Sequence, residues 1–311
     1  MPKAKDSSAE DVRASYRRHD EDESNPRSRR LHESDPPVLD ERQREVVAGL
    51  DRDGIAVASL AELFSPETWS ELVADAREYT TYIERKIAGW VAADKDPRLR
   101  KPDPATPDKP AKEKFYMARR FKKAPLGLDS PWLRFGSSPR MLAIVNSYLR
   151  LWSKLSYADQ WYTPPRGEDA ARLGSMRWHR DYNDQHLVKV FVYLVDVDVE
   201  TGPFEYVPGS ARGGRFANEW PWTPAGETYP PPEEFHRRVP ESAVATFSAP
   251  AGSMIFCNTS GLHRGGHATV KPRSIFVFNY VSPAGLEVLV DRNFDVGDAA
   301  GLPDVQRFAL T

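Results

Sequence analysis

The 311-residue sequence has one cysteine, Cys257, which excludes an intramolecular disulfide and any cysteine-built zinc cluster. It has no apolar run long enough to span a bilayer and no apolar N-terminal core of the kind a secretion signal carries. It has no charge excess either: 43 Lys and Arg stand against 45 Asp and Glu, so nothing global points to nucleic acid. These absences predict a soluble, cytoplasmic protein that binds neither membrane nor nucleic acid. The chain does have 27 prolines and 8 tryptophans, a composition that suits a loop-rich β fold with aromatic packing.

Residues 1–38 consist mostly of charge, Ser and Pro and are expected to form a disordered tail, since they offer too little apolar surface to offset their ordering entropy. The remainder, 39–311, reads as one domain. Its first part, 39–152, is helical. Val46, Val47 and Leu50 recur at helical spacing, and Ser65-Pro66-Glu67 marks a helix start whose stripe runs through Leu72, Val73, Ala76, Tyr79, Ile83 and Ile87. Another helix begins at Pro139. Residues 94–124, rich in Pro and charge without periodicity, are expected to be a surface loop or lid. From about 153 to 285 the pattern changes to short strand-like runs: LSYADQWY, LVKVFVYLVDV, FEYVPG, AVATFSAP, SMIFCN and RSIFVFNYVS. Helices first and many short strands afterwards imply an α+β fold with an antiparallel barrel or sandwich core. Residues 286–311 form a C-terminal extension.

One motif carries chemistry. In WHRDYND, His179 and Asp181 stand two positions apart just before a strand-like run. Strand alternation would turn both to one face, within reach of one metal ion. Two imidazoles and a carboxylate make a facial triad that leaves coordination positions open, so a second histidine is required. Of the seven histidines, His19 and His32 lie in the tail, His186 is close to Asp181 and His236 sits in a Pro-rich loop, leaving His263 and His267. His263 is the better placed: it follows the strand-like GSMIFCN, and Gly265 and Gly266 would give the backbone freedom beside a site. Ten residues on, Arg273 shares a strand face with Ile275, Val277 and Asn279. It has no acidic neighbour in sequence, and a bound dicarboxylate would satisfy its guanidinium while chelating the metal.

These stretches (WHRDYND, VDVETGPFEYVPGS and AGSMIFCNTSGLHRGG…KPRS) resemble the phytanoyl-CoA dioxygenase family of Fe(II)/2-oxoglutarate oxygenases, over about residues 40–285. The resemblance implies a double-stranded β-helix, a jelly-roll barrel of the cupin kind. It also implies iron held by His179, Asp181 and His263, 2-oxoglutarate held by Arg273, O2 as the oxidant and a small-molecule substrate. Thr201 and Ala211 replace the Asn and His of the family's Asn-Gly-Pro…Pro-Gly-Ser-His signature. Related halogenases carry a small residue where Asp181 stands, so its carboxylate argues for hydroxylation or another oxidation.

Tyr162 stands where the family often places a 2-oxoglutarate contact, and it also suits a core aromatic. Lys189 alternates with Phe191 and Tyr193; facing inward, it would reach the cosubstrate or a substrate anion. Arg119 and Arg120, in the basic and aromatic stretch 112–125, and Trp220, Trp222 and Tyr229 are expected to flank the mouth and select the substrate. Two other readings use the same residues: a cupin-like protein that binds a metal or ligand without turnover, and a zinc hydrolase.

Overall fold

The computed structural model describes residues 9–93, 117–121, 125–220, 222, 229–286 and 292–311. Helix α1 (Ala9–Arg18) leads through a π-helical turn into α2 (Ser24–Ser34), and α3 (Glu41–Asp53) follows. Asp40 caps α3: it accepts from the Gln43 main-chain N–H at 2.9 Å, while the Gln43 side chain accepts from the Asp40 N–H at 3.0 Å. Strand β1 (Ile55–Ser59), the short α4 (Leu60–Leu63) and the 27-residue α5 (Pro66–Ala92) come next. Ser65 caps α5 and Pro66 opens it, and Leu72, Ala76, Ile83 and Ile87 are its buried stripe. Strand β2 (Ala118–Arg119), α6 (Pro131–Gly136) and α7 (Pro139–Leu149) complete the helical part.

The core contains β3 (Lys154–Thr163), β4 (Leu187–Tyr193), β5 (Phe204–Tyr206), α8 (Pro232–Arg238), β6 (Ala245–Phe247), β7 (Ser253–Cys257), β8 (His263–Arg264) and β9 (Arg273–Val281), with α9 (Asp304–Leu310) near the C-terminus. Six strands form an antiparallel sheet in the order β1-β7-β4-β9-β3-β2; three form a second, β6-β5-β8. The sheets face each other across a core that includes Phe191, Tyr193, Phe204, Tyr206, Ile255, Ile275 and Val277. Their edges do not join into a closed barrel among the described residues.

The outer face of the large sheet is as apolar as the inner one. Val188, Val190 and Val192 of β4 and Phe276, Phe278 and Tyr280 of β9 pack under Leu72, Trp132, Leu142 and Val145. Trp132 stacks flat on Phe276, centroids 3.9 Å apart. Strands covered on both faces read as continuous hydrophobic runs, as LVKVFVY and RSIFVFNYV do.

The N-terminal expectation needs correction. Residues 9–34 are helical, and Tyr16, Asp20, Asn25 and Ser28 are buried. They dock through polar pairs rather than an apolar face: Asn25 accepts from the Ala284 N–H at 3.1 Å and Ser28 donates to the Trp152 carbonyl at 2.5 Å. A composition argument counts apolar area and misses such contacts. Most of the expected lid, 94–116 and 122–124, lies outside the described residues. No described helix is long and apolar enough to cross a membrane.

Candidate metal centre

His179, Asp181 and His263 come together, with a potential ligand atom from each within 4.8 Å of the others. The segment carrying His179 and Asp181 is not a regular strand. His179 makes an isolated antiparallel bridge to His263, the two residues exchanging N–H···O bonds of 2.9 and 3.0 Å. Asp181 is then fixed by its own N–H, which donates to the Thr259 carbonyl at 2.8 Å. This pairing sets the imidazole rings 4.1 Å apart and extends the small sheet beyond β8.

The protonation pattern suits a metal. His179 Nδ1 lies 2.8 Å from the Arg177 carbonyl and His263 Nδ1 lies 2.9 Å from the Gly261 carbonyl. A carbonyl only accepts, so both Nδ1 atoms carry the proton and each Nε2 presents a lone pair. Those lone pairs face Asp181: His179 Nε2 is 4.0 Å from Oδ1 and His263 Nε2 is 3.7 Å from Oδ2. Burial pushes the His179 imidazole below its ordinary value and His263 well below it, with His179 adding to the effect at His263. Burial pushes the Asp181 carboxyl up, but Lys189 and the two histidines outweigh it and hold Asp181 well below the usual carboxylate range. Two neutral nitrogen donors and one anionic oxygen donor are the ligand set of the facial triad.

Arg273 opens β9 on the inner face, and its guanidinium is buried. Nη1 donates to the Gly202 carbonyl, while Nε has no partner and no carboxylate among the described residues approaches it. Burial lowers its pKa. An unpaired buried cation in the cavity that holds the triad fits a ligand carboxylate. The cavity, about 220 Å³, is walled by Phe191, Tyr193, Phe204 and Ile275, with Met117, Trp161, Tyr182 and Tyr229 also lining it.

The glycines beside the site serve a different purpose from the expected freedom of backbone angle. Neither Gly265 nor Gly266 has a positive φ. Gly266 is needed for close approach, because a Cβ there would lie 2.1 Å from the Gly202 carbonyl carbon and oxygen. It is Gly202 that takes the left-handed angle, at φ 76°, and its carbonyl meets Arg273.

Several secondary expectations change. Tyr162 turns away from the cavity into a cluster with Ile83 and Ile87 of α5; its neighbours Trp161 and Thr163 face the cavity instead, by strand alternation. Lys189 does face inward, but its ammonium is engaged by Asp181 Oδ2 at 2.6 Å rather than free for a ligand. Arg119 and Arg120 pair with Asp159 and Asp75, each at 2.6 Å, and so are committed to neighbours in the fold. Tyr229 lies against His179, centroids 5.3 Å apart, and Trp222 donates its indole N–H to the Asp181 carbonyl at 2.7 Å.

Arg180, between His179 and Asp181, is not singled out by the sequence. Its buried guanidinium donates to five main-chain carbonyls: Ser210 and Ser260 from Nη1, Phe216 and Ala217 from Nη2, and Trp220 from Nε. The only hint in sequence was a charged residue held between two ligand candidates. The Pro-Gly-Ser turn joins this network, since Ser210 Oγ accepts from the Leu262 N–H at 2.7 Å, next to His263. Ala211, in place of the signature's His, is buried there.

A double sheet with two histidines, an aspartate and an unpaired arginine in one cavity fits the class of mononuclear non-haem iron oxygenases that use an oxo-diacid. The profile of the phytanoyl-CoA dioxygenase (PhyH) family matches residues 50–275, and the chain belongs to that family. It is thereby an Fe(II)/2-oxoglutarate-dependent oxygenase with a jelly-roll core. No curated protein matches the sequence significantly. Among solved structures, the chain is similar to the epimerase SnoN in complex with Fe3+, alpha-ketoglutarate and nogalamycin RO (20% identity, 78% of this chain and 84% of that one, TM-score 0.48). It is also similar to EctD from S. alaskensis with bound Fe (17%, 84% and 81%, 0.48) and to EvdO2 from Micromonospora carbonacea var. aurantiaca (16%, 83% and 98%, 0.47). The family match and the site geometry, not these likenesses, carry the assignment.

Proposed function

We propose that this oxygenase hydroxylates an unactivated C–H bond of a small molecule, with Fe(II) held by His179, Asp181 and His263 and the distal carboxylate of 2-oxoglutarate held by Arg273. The observation that carries the reading is the pairing of two Nε2 lone pairs and a carboxylate with a buried guanidinium that lacks a carboxylate partner, all lining one cavity. When bound, iron supplies O2 activation coupled to conversion of 2-oxoglutarate into succinate and CO2.

The chain's own residues do the rest. The Arg177 and Gly261 carbonyls fix both ring orientations and keep each Nδ1 protonated. Arg273 orients the cosubstrate by its far end. Phe191, Phe204 and Ile275 keep water from the reacting centre. Met117, Trp161, Tyr182 and Tyr229 offer an apolar and aromatic surface on which a substrate would lie.

The test has two parts. Anaerobic Fe(II) and 2-oxoglutarate should give the weak visible charge-transfer band of the chelate, and a substrate screen should show O2 consumption matched by succinate. His179→Ala should keep the fold and lose both signals. Succinate release by that variant at the wild-type rate contradicts the reading. A hydrolase or a passive binding protein would consume no O2.

A further inference from the structure

The ion pair between Lys189 and Asp181 engages one of the three side chains that could hold a metal. Lys189 Nζ is 2.6 Å from Asp181 Oδ2, the same oxygen that faces His263, whereas Oδ1 faces His179. The lysine cannot easily swing away. It lies in the middle of the large sheet, opposite Cys257 on β7 and Asn279 on β9, and its ammonium is 5.9 Å from the Tyr157 ring centroid. Both members of the pair are largely enclosed, with 11% and 14% of their side chains exposed.

A carboxylate binds a metal through one oxygen or two. In a facial triad the difference decides how many positions remain for an oxo-acid chelate and O2. Resting on the metal site proposed above, we propose that Lys189 is a positioning residue that keeps Asp181 a one-oxygen ligand. By holding Oδ2, it leaves Oδ1 for the metal and keeps the neighbouring coordination position free. The arrangement weakens metal binding, because an ammonium beside the ligand repels a divalent ion.

The experiment measures anaerobic Mn(II) binding, and 2-oxoglutarate binding to the Mn(II)-loaded protein, by calorimetry on the full chain. Lys189→Met, Lys189→Gln and Lys189→Arg are compared with wild type, with circular dichroism melts reporting the fold. Lys189→Met should bind Mn(II) about tenfold more tightly or better, since it removes a unit charge a few ångströms from a divalent ion. It should bind 2-oxoglutarate about tenfold more weakly, because the freed Oδ2 takes a position the chelate needs. Lys189→Arg, which keeps the charge, should stay near wild type in both. Lys189→Gln removes the charge but keeps an N–H that can hold Oδ2, so it should tighten Mn(II) and leave 2-oxoglutarate near wild type. Should Lys189→Met not fold, Lys189→Leu, which also lacks a donor, takes its place. Mn(II) affinity equal to or below wild type in the folded variant overturns the inference. Tighter Mn(II) with unchanged 2-oxoglutarate in the variant that lacks a donor also overturns it, because Lys189 then acts through charge alone. A wild type that binds no Mn(II) overturns the metal site itself, an outcome distinct from the other two.

Discussion

The Tyr16 hydroxyl donates a hydrogen bond to the buried carboxylate of Asp184, 168 positions along the chain. The same hydroxyl accepts from the Gln185 N–H at 3.2 Å, and Asp184 also takes the N–H groups of Ser282 and His186, at 2.7 and 2.8 Å. The Tyr16 ring lies 5.4 Å from that of Trp222, whose indole N–H reaches the Asp181 carbonyl. The N-terminal helices are therefore bonded to the segment that follows Asp181.

Tyr16→Phe removes one donor from a buried carboxylate and should cost about 1–3 kcal/mol in a urea melt. Deleting residues 1–35 removes the whole arm, including the Asn25 and Ser28 contacts, and should cost more. The deletion should also weaken Mn(II) binding, since Trp222 loses the ring it packs against. An unchanged melting midpoint and metal affinity in the deletion would show that the arm is a bystander.

Arg180 ties carbonyls of the 210–220 and 260 segments to the ligand segment with all its guanidinium donors. Arg180→Met leaves buried carbonyls unpaired and should destabilise by about 3 kcal/mol or more. Arg180→Lys keeps the charge but cannot span carbonyls that lie on different sides of a planar fork, so it should recover only a minority of that loss. Chemical denaturation of the three proteins checks the order wild type, Lys, Met.

How far the sequence led depended on the physics behind each feature. Alternation is local, so β9 could be read as Arg273, Ile275, Val277 and Asn279 on the inner face, and that is the face they occupy. His179 and Asp181 were legible as a pair, but the reason offered, a shared strand face, was not the operative one. A single bridge to His263 sets them, and no spacing rule encodes that contact. Of the two roles Tyr162 suits, the structure shows the core aromatic: it lies one pleat away from the cavity-lining Trp161, which is enough to turn its side chain to the other face. Arg180 and the docking of Tyr16 depend on carbonyls and carboxylates from distant segments. Their partners have no periodicity, so composition and pattern could not reveal them.

The buried imidazoles make a pH prediction. His179 and His263 are pushed below their ordinary value in the folded chain, so below about 6.5 the unfolded chain binds more protons at these sites than the native one does. Stability from these groups is present above that pH and is lost as the pH falls toward their folded values. Metal-free protein should melt at a lower temperature at pH 5.5 than at pH 7.5. His263→Gln should flatten that slope. A melting temperature that rises on acidification would contradict the burial account.

Arg273 sets binding and stability in opposition. Its guanidinium is buried with its Nε unpartnered, so the ligand-free chain carries the desolvation of a cation without a counter-charge. Arg273→Met should therefore leave the ligand-free protein as stable as wild type or more so, despite losing the bond to the Gly202 carbonyl. The same variant should raise the KM for 2-oxoglutarate about a hundredfold, the loss of a two-point charge-assisted contact worth about 3 kcal/mol. Arg273→Lys keeps the charge and loses the fork, and should fall between the two. Thermal melts without ligand, set beside 2-oxoglutarate titrations, separate the effects. A variant that loses stability in step with 2-oxoglutarate affinity would make Arg273 a structural residue and leave the diacid without its partner.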